Sequence, residues 1–260
     1  MRNRACRGAL WTATIATWAA TTALPAQQPE RRPEAQRPAP LALVLEEFDG
    51  VHPNGQWDIH QFAGTFAYRV KPDALVMIDA GGANQHLTRR GLLLDPKRPY
   101  TIEALFTILE PPDAKAPNSF CLNFQVAGPE DDLKSLSCWS INVDVAPGKT
   151  PHGVMKHMGF SDGRFREIGQ RQIDWSRAQV EYLLRVEVNT DRHGRYKFNT
   201  VTVTVQEGRR QRERFEVDYA PFPYQPDFSK PVRIGANTHG ADWRLRNLKV
   251  FAEPAAVRVP

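Results

Sequence analysis

A set of polar residues recurs at every second position in several segments in the middle of this chain. Amides, carboxylates and an arginine can each hydrogen-bond two neighbouring oxygen atoms, so such a set could bind a ligand rich in hydroxyl groups. An ordinary solvated face is the alternative, since every half-exposed sheet alternates in this way. Asparagine is unfavourable in strands, which favours a binding role for Asn123 and Asn142. The full set is Glu103, Asn123, Gln125, Asn142, Asp144, His157, Arg185 and Glu187.

Motifs that could catalyse a reaction are weak in this chain. Hydrolysis by a carboxyl pair needs two acids about 5 to 10 Å apart. Glu187 and Asp191 are close in sequence, but Asp191 falls in a predicted turn, and Asp144 could face Glu187 only from another strand. Gly159-Phe-Ser-Asp-Gly163 matches the nucleophile elbow Gly-x-Ser-x-Gly, yet an elbow leads into a helix, whereas here the chain continues as a predicted strand. We therefore expect a hairpin turn there and assign no catalytic residue.

Alternation of apolar and polar residues with a period of two runs from Leu43 to Phe251, with Gly, Pro, Asn and Asp between the runs. Helix signals are scarce, and only Trp175–Val180 could form a turn or two. A change of phase within the last run predicts a bulge near Arg246-Asn247. About a dozen short strands with Pro- and Gly-rich turns predict an all-β protein, a sandwich of two antiparallel sheets.

Several segments together resemble the concanavalin A-like lectin/glucanase superfamily, which includes laminin-G-like modules and the 3-keto-disaccharide hydrolase family. The resemblance implies a jelly roll in which sugars bind in a cleft on the exposed face of one curved sheet. Catalytic members that resemble this fold carry Glu-x-Asp-x-x-Glu on one strand, a motif that this sequence lacks. The segments are Phe48-Asp-Gly50, Trp57, Tyr100–Phe106, Trp175 with Tyr182–Val188, and Arg233–Trp243.

The function that these features favour is an exported carbohydrate-binding domain, without catalysis, whose partner is a polysaccharide or another glycan held by the polar face. Two alternatives stay open: a glycan hydrolase or lyase on the same scaffold, and a structural or adhesion module. The resemblance leaves room for one cofactor, structural calcium, because the first and last strands often adjoin in this fold. Asp49 and Asp242 lie at the ends of those strands and carry the hard oxygen ligands that calcium prefers. Turn capping is the alternative role for both.

Four tryptophans beyond the N-terminal segment are candidates for stacking on a ligand. Trp139 and Trp243 fall on apolar faces and are expected in the core. Trp57 and Trp175 lie beside turns and could be exposed. Pro221-Phe-Pro-Tyr224 is either an aromatic rim or a loop that packs over a sheet edge.

The N-terminal residues 1–26 are typical of a secretory signal peptide. Arg2, Arg4 and Arg7 precede an uncharged segment that ends at the small residue Ala26. Residues 27–41 are rich in Pro, Gln, Glu and Arg and are predicted to form a disordered linker. The domain is predicted to span 42–252, with a tail at 253–260. We expect a secreted or periplasmic protein without a membrane span after cleavage; a short anchor is the alternative.

The basic balance of the chain does not indicate nucleic-acid binding. The full sequence has a net charge of +5, but three of its 34 basic residues and none of its 29 acidic residues precede Ala26, which leaves +2 after cleavage. The densest basic run, Arg209–Arg214, is interrupted by Glu213 and is expected to be a solvated turn between strands. We therefore expect no nucleic-acid partner.

Two cysteines, Cys121 and Cys138, remain after removal of the segment that contains Cys6. Export would permit a disulfide between them. A loop centred on 128–135 would place Cys138 opposite Gln125, whereas a tighter turn would bring the two cysteines face to face. The sequence leaves both registers open.

Overall fold

The computed structural model describes the sandwich strands and the connections between many of them. The predicted signal peptide, the linker as far as residue 40, and Asp49 lie outside the described residues. All described residues belong to the larger of two units, Pro38–Pro260. They are 41–47, 57–63, 66–71, 74–79, 84–89, 91–109, 118–127, 137–145, 153–161, 164–222, 225, 229–239 and 242–257.

Fifteen strands and one short 3-10 helix at Pro254–Ala256 make up the regular structure of these residues, which contain no α-helix. No described helix is therefore long and apolar enough to cross a membrane. The strands are β1 (Leu41–Glu47), β2 (Trp57–Ala63), β3 (Phe66–Lys71), β4 (Ala74–Asp79), β5 (Asn84–Arg89), β6 (Tyr100–Ile108), β7 (Asn118–Ala127), β8 (Ser137–Val145), β9 (Gly153–Ser161), β10 (Arg164–Ile173), β11 (Glu181–Thr190), β12 (Tyr196–Glu207), β13 (Arg210–Asp218), β14 (Arg233–His239) and β15 (Trp243–Ala252).

The strands form two antiparallel sheets, as the alternation predicted. The eight-stranded sheet has the order β13-β12-β11-β6-β15-β4-β3, and β1 also pairs with β15. The seven-stranded sheet has the order β10-β9-β8-β7-β14-β5-β2. Neighbours in space are often distant in sequence, so residues from the two halves of the chain meet within each sheet. The all-β, two-sheet prediction is confirmed.

Aromatic residues from both sheets fill the interior between them. Phe106 of β6 stacks on Phe120 of β7 with 4.1 Å between ring centroids, and Trp243 meets Phe120 edge-on at 5.2 Å. Trp139 stacks on Tyr219 at 4.5 Å. Each ring is fully buried, and burying a side chain of this size contributes roughly 1.5–3 kcal/mol. These contacts join the two sheets and fix which face of each strand points outward.

The local irregularities that the sequence predicted are present. The register of β15 shifts between Leu245 and Asn247, which confirms the bulge and keeps apolar residues inward on both sides of it. The β9 and β10 strands pair as a hairpin, from Ser161 opposite Arg164 onward. Because β10 is a strand, Gly159–Gly163 is not a nucleophile elbow.

The cysteines do not form a disulfide, and the register explains why. Cys121 lies opposite Asn142, four residues along β8 from Cys138, a distance of about 13 Å along the strand. A bridge needs Cα atoms within about 7 Å, so the face-to-face alternative is wrong. Both thiols are buried, and burial raises the pKa of Cys138 to about 12, although a backbone hydrogen bond from Phe160 opposes the rise.

Candidate functional site

The predicted polar set is divided between the two sheets. Glu103 lies on β6, and Arg185 and Glu187 lie on β11, all in the eight-stranded sheet. Asn142 and Asp144 lie on β8 of the seven-stranded sheet. Because the inner faces pack together, the two outer faces point to opposite sides of the sandwich. The expectation that all these residues share one surface is therefore wrong.

Polar residues from four strands are aligned on the outer face of the seven-stranded sheet. Lys156 of β9 pairs with Asn142 of β8, Asn142 with Cys121 of β7, and Cys121 with Asn237 of β14. The next row places Met158, Ser140 and Asn123 side by side. All but Lys156 and Met158 are buried, with Asn142 at 8% exposure. We call one part of this surface the polar floor: Asn123, Ser140, Asn142, Asp144 and Asn237.

Hydrogen bonds hold the centre of the polar floor in place. Ser140 Oγ donates to Asn142 Oδ1 at 2.5 Å, and Asn142 Nδ2 donates to Met158 Sδ at 3.0 Å. Lys156 Nζ lies 2.8 Å from Asp144 Oδ2. Burial alone would lower the pKa of Lys156, but the hydrogen bond and charge of Asp144 outweigh it and raise that pKa above its ordinary value. The floor thus combines neutral amides with one ion pair.

Glu103, Arg185 and Glu187 do come together, but on the opposite face. Arg185 Nη1 donates to Glu103 Oε1 at 2.7 Å and Arg185 Nη2 donates to Glu187 Oε1 at 3.2 Å. Arg214 Nη2 lies 3.8 Å from the second Glu187 oxygen. The arginine side chain is 40% exposed, so each pair contributes at most about 1 kcal/mol. One guanidinium thus links both carboxylates in a solvated network, and Asp144 does not face Glu187.

Gln125 is placed in the interior and not on an outer face. Its backbone has a φ of 52° at a register shift between Phe124 and Ala127. Its side-chain Nε2 donates to Pro96 O at 2.9 Å, and its backbone N–H donates to the Tyr100 hydroxyl at 3.2 Å. The bulge turns this residue inward, where it anchors the loop that contains Pro96. Its predicted place on the exposed face is wrong.

His157 lies at the seam between the sheets, apart from the polar floor. Its partner across β8 is Ile141, a core residue, so the ring points to the inner side of the sheet. The ring contacts Phe215 of β13 at a centroid distance of 5.0 Å, and the Arg171 guanidinium lies 4.3 Å from that phenyl ring. Burial, aided by the charge of Arg171, lowers the pKa of His157 to about 4.

The remaining aromatic candidates are also structural. Trp175 is 3% exposed and donates through Nε1 to Glu213 Oε1 at 3.2 Å, so its predicted exposure is wrong. Phe222 is buried with its ring over Gly159, so this residue packs on the sheet, and Pro223 and Tyr224 lie outside the described residues. Trp139 and Trp243 are core residues, as predicted. Trp57 lies in β2, and its side chain is not among those that the structure describes.

Sequence reasoning missed three members of this outer face: Lys156, Ser140 and Asn237. Asn237 lies in the turn-forming run Asn237–Asp242, so the sequence did not predict it in a strand, whereas the structure places it in β14. Ser140 and Lys156 lie in segments with the predicted alternation, so their outward positions were available from the sequence. The sequence did not show which residues would be their neighbours, because β14 pairs with β7, more than a hundred residues away in the chain. Only the register brings Asn237 beside the other amides.

Comparison with solved structures identifies the architecture. No protein-family model and no curated protein matches the sequence. The mannose-bound exoplasmic/lumenal domain of VIP36 is 10% identical, with a TM-score of 0.54 over 84% of this chain and 98% of that domain. The carbohydrate recognition domain of Emp47p is 13% identical, with a TM-score of 0.50 over 80% and 94% of the two chains. A legume lectin-like domain from Entamoeba histolytica is 10% identical, with a TM-score of 0.50 over 79% and 95%.

The protein has the concanavalin A-like lectin fold. At these identities the likeness establishes the fold and no more. It confirms the resemblance drawn from the strand pattern and tryptophan positions.

The VIP36 domain has been solved with Ca²⁺ bound as well as metal-free. Within the described residues, no group of three or more His, Cys, Asp or Glu side chains could hold a metal ion. Asp242 is half-buried, and its backbone oxygen accepts a hydrogen bond from the Leu109 N–H at 2.8 Å. Asp49 lies outside the described residues, so the calcium site predicted at Asp49 and Asp242 stays a prediction.

Proposed function

We propose that this protein is an exported lectin-like domain that binds a glycan on the outer face of the seven-stranded sheet. Asn142, the most exposed residue of the polar floor, supplies the central binding group, and the half-buried Lys156 and Met158 form the accessible border. The lectin fold supports this proposal, because the VIP36 domain was solved with mannose and Man3GlcNAc bound. The N-terminal segment supports export, and the VIP36 domain is itself exoplasmic or lumenal.

The observation that carries the proposal is the set of contacts made by Asn142. Its amide oxygen accepts from Ser140, while its Nδ2 donates to the thioether of Met158 at 3.0 Å. A thioether is a weak acceptor, so a sugar hydroxyl would be a better partner for the same N–H group. Met158 is half-buried and has a flexible side chain that can move aside. A ligand hydroxyl can therefore improve a contact that the protein alone leaves weak.

The ion pair beside Asn142 provides the second binding element. The Asp144 carboxylate carries acceptor oxygens, one of them 2.8 Å from Lys156 Nζ, and the Lys156 ammonium has three donors, of which one is directed to Asp144. Neighbouring hydroxyls of a sugar ring present donor and acceptor together, and this pair matches both. Because the groups lie on adjacent strands, the sheet holds them at fixed spacing without further ordering on binding.

Glycan-array binding followed by titration calorimetry on the best ligand tests the proposal. We expect Asn142→Ala to weaken binding by about tenfold or more, since a hydrogen bond in a desolvated site contributes about 1.5 kcal/mol. Arg185→Ala is the matched control, because it removes a polar side chain from the opposite outer face. Thermal unfolding of both variants would confirm that each is folded.

Three results would contradict the proposal. Loss of binding in Arg185→Ala but not in Asn142→Ala would place the site on the other sheet. Release of new reducing ends from a bound polysaccharide would indicate a hydrolase. Absence of any glycan ligand for the folded wild-type protein would favour a structural or adhesion module.

A further inference from the structure

A second surface, away from the polar floor, has the form of a binding site. It is a hollow of about 1000 Å³ between the turn that joins β11 to β12 and the middle of β13. A volume near the upper end of the usual range for ligand sites would accommodate more than a single ion. Its lining includes Asp191, Arg192, Arg195, Tyr196, Arg214 and Glu216.

The turn at the edge of this hollow is held by one carboxylate. Asp191 accepts hydrogen bonds from the backbone N–H groups of His193 and Arg195 at 2.9 and 3.1 Å. It also accepts from Arg195 Nε at 2.7 Å, and that bond is the main reason that its pKa falls to about 2. Gly194 adopts a φ of 73°, which closes the turn. The loop is therefore ordered before any ligand arrives.

Positive charge exceeds negative charge in the hollow, with four cationic side chains against two carboxylates. Both carboxylates are already engaged, Asp191 by Arg195 and Glu216 by Lys197 at 3.0 Å. The excess therefore lies on Arg192 and Arg214. In the described part of the chain, the Arg192 guanidinium bonds only His193 Nε2, at 3.2 Å, and has no carboxylate partner.

Arg214 is positioned by neutral groups. Its Nη2 donates to the Arg192 carbonyl at 3.0 Å and its Nη1 donates to Thr204 Oγ1 at 3.4 Å, while Glu187 is 3.8 Å away. The carboxylate of Glu187, which Arg185 also bonds, offsets the charge of this guanidinium only in part. A planar guanidinium presents paired donors that match carboxylate or sulfate oxygens.

An exposed aromatic ring lies beside the two arginines. Tyr196 is 51% exposed, and its hydroxyl donates to the Lys97 carbonyl, which fixes the ring at the edge of the hollow. A fixed, exposed aromatic ring offers an apolar face at small entropic loss, and the C–H face of a sugar can stack on it. Fixed charge and a stacking surface thus occur together.

We propose that this hollow binds an anionic oligosaccharide, with its carboxylate or sulfate groups on Arg192 and Arg214 and a sugar ring on Tyr196. A nucleic acid is the less suitable ligand, because the chain carries only a small net charge beyond its N-terminal segment and the cationic side chains of this hollow exceed its carboxylates by only two. This proposal rests on the proposed glycan binding in one respect, namely that the anionic groups belong to a sugar. The site itself is independent of the polar floor.

Titration calorimetry on the full chain tests the assignment with four probes. They are an oligogalacturonate, a sulfated oligosaccharide, a neutral oligosaccharide of equal length, and a short single-stranded oligonucleotide. We expect one or both acidic sugars to bind, with affinity that falls as salt increases. Arg192→Gln should weaken that binding about tenfold, since one charge-assisted hydrogen bond is lost. Arg246→Gln is the control, because it removes an exposed arginine that is paired with Glu181 outside the hollow.

The outcomes separate this site from the polar floor. Acidic-sugar binding that Arg192→Gln weakens and Arg246→Gln leaves unchanged would assign the ligand to the hollow, even when no neutral glycan binds. Equal binding by Arg192→Gln and wild type, or no binding of either acidic probe, would overturn the proposal. Tighter binding of the oligonucleotide than of the sugars would also overturn it and indicate a nucleic-acid site. Tyr196→Ala provides a second check, because it should weaken sugar binding and leave the loop charges in place.

Discussion

Acidification is expected to destabilise the sandwich through His157. The ring lies at the seam between β9 and β13, against Phe215, and Arg171 lies on the same phenyl ring. Burial disfavours the charged imidazolium, and the positive charge of Arg171 disfavours it further. The pKa of His157 therefore falls from 6.5 to about 4 in the folded protein.

The size of the effect follows from linkage between protonation and folding. Below pH 6.5 the unfolded chain takes up a proton on His157 that the folded chain does not accept until about pH 4. The free energy of unfolding thus decreases as the pH falls through this window, and the loss is complete below the folded value. At 1.36 kcal/mol for each pKa unit, the two values correspond to about 3 kcal/mol. Contact of the half-buried ring with water reduces this to about 2 kcal/mol.

Urea unfolding at several pH values between about 7 and 4 measures this loss. The His157→Phe variant should lose about 2 kcal/mol less than the wild type over the window, because it has no proton to take up. His193→Gln, a change in an exposed turn, is the control and should follow the wild type. A histidine NMR titration that gives His157 its ordinary pKa would refute the reasoning, as would equal pH dependence in all three proteins.

Two further predictions concern packing and thiol chemistry. Gly159→Ala should lower the free energy of unfolding by about 1–3 kcal/mol, because the added Cβ would lie 2.1 Å from the ring of Phe222. Gly169→Ala is its control, since the nearest atom there is 3.6 Å away, and a melting temperature equal in the two variants would contradict the steric argument. The two cysteines should react with a thiol reagent only after unfolding, because both are buried and the pKa of Cys138 is about 12. Rapid labelling of the native protein, or fewer than two reactive thiols after denaturation without reductant, would contradict this prediction.

Local pattern was sufficient to predict most of the strands. The expectation of a solvated turn at Arg209–Arg214 is wrong, because Arg210 to Arg214 pair with β12 as the first part of β13. A sandwich strand buries every second side chain, so the inner and outer faces of β6, β8 and β11 can be identified within each segment. The bulge in β15 is also local, because a one-residue change of phase keeps both Leu245 and Leu248 inward. For this reason the fold class and the outward direction of Glu103, Asn142 and Arg185 could be obtained from sequence.

Assignment of strands to sheets was not predictable from the same pattern. Glu103 and Arg185 are directly paired because β6 and β11 adjoin, although 82 residues separate them. Asn142 alternates in the same way, yet its strand belongs to the other sheet. Alternation gives the side of a strand on which a residue lies and contains no information on the neighbouring strand. The residue types of a site built from several strands could therefore be predicted, but not which of those residues lie side by side.

Gln125 shows a different cause of error, since one irregular residue reverses the direction of a side chain. The register of β7 against β8 shifts after Phe124, and Gln125 adopts a φ of 52°. A non-glycine residue is unfavourable in this region unless its surroundings hold it. Here the side-chain bond to Pro96 and the backbone bond to Tyr100 do so. Both partners are more than twenty residues away, so the sequence around Gln125 did not reveal the bulge.

The two outer faces of the sandwich differ in what a neutral sugar could gain from them. On the eight-stranded sheet, Arg185 already donates to two carboxylates, and a hydroxyl would have to replace charge-assisted bonds with weaker ones. On the seven-stranded sheet, Asn142 donates to a thioether sulfur, so a hydroxyl oxygen would replace a weak acceptor with a stronger one. The exchange is thus unfavourable on the first face and favourable on the second. This difference in partner strength, and not the number of polar residues, is the reason to assign the glycan to the polar floor.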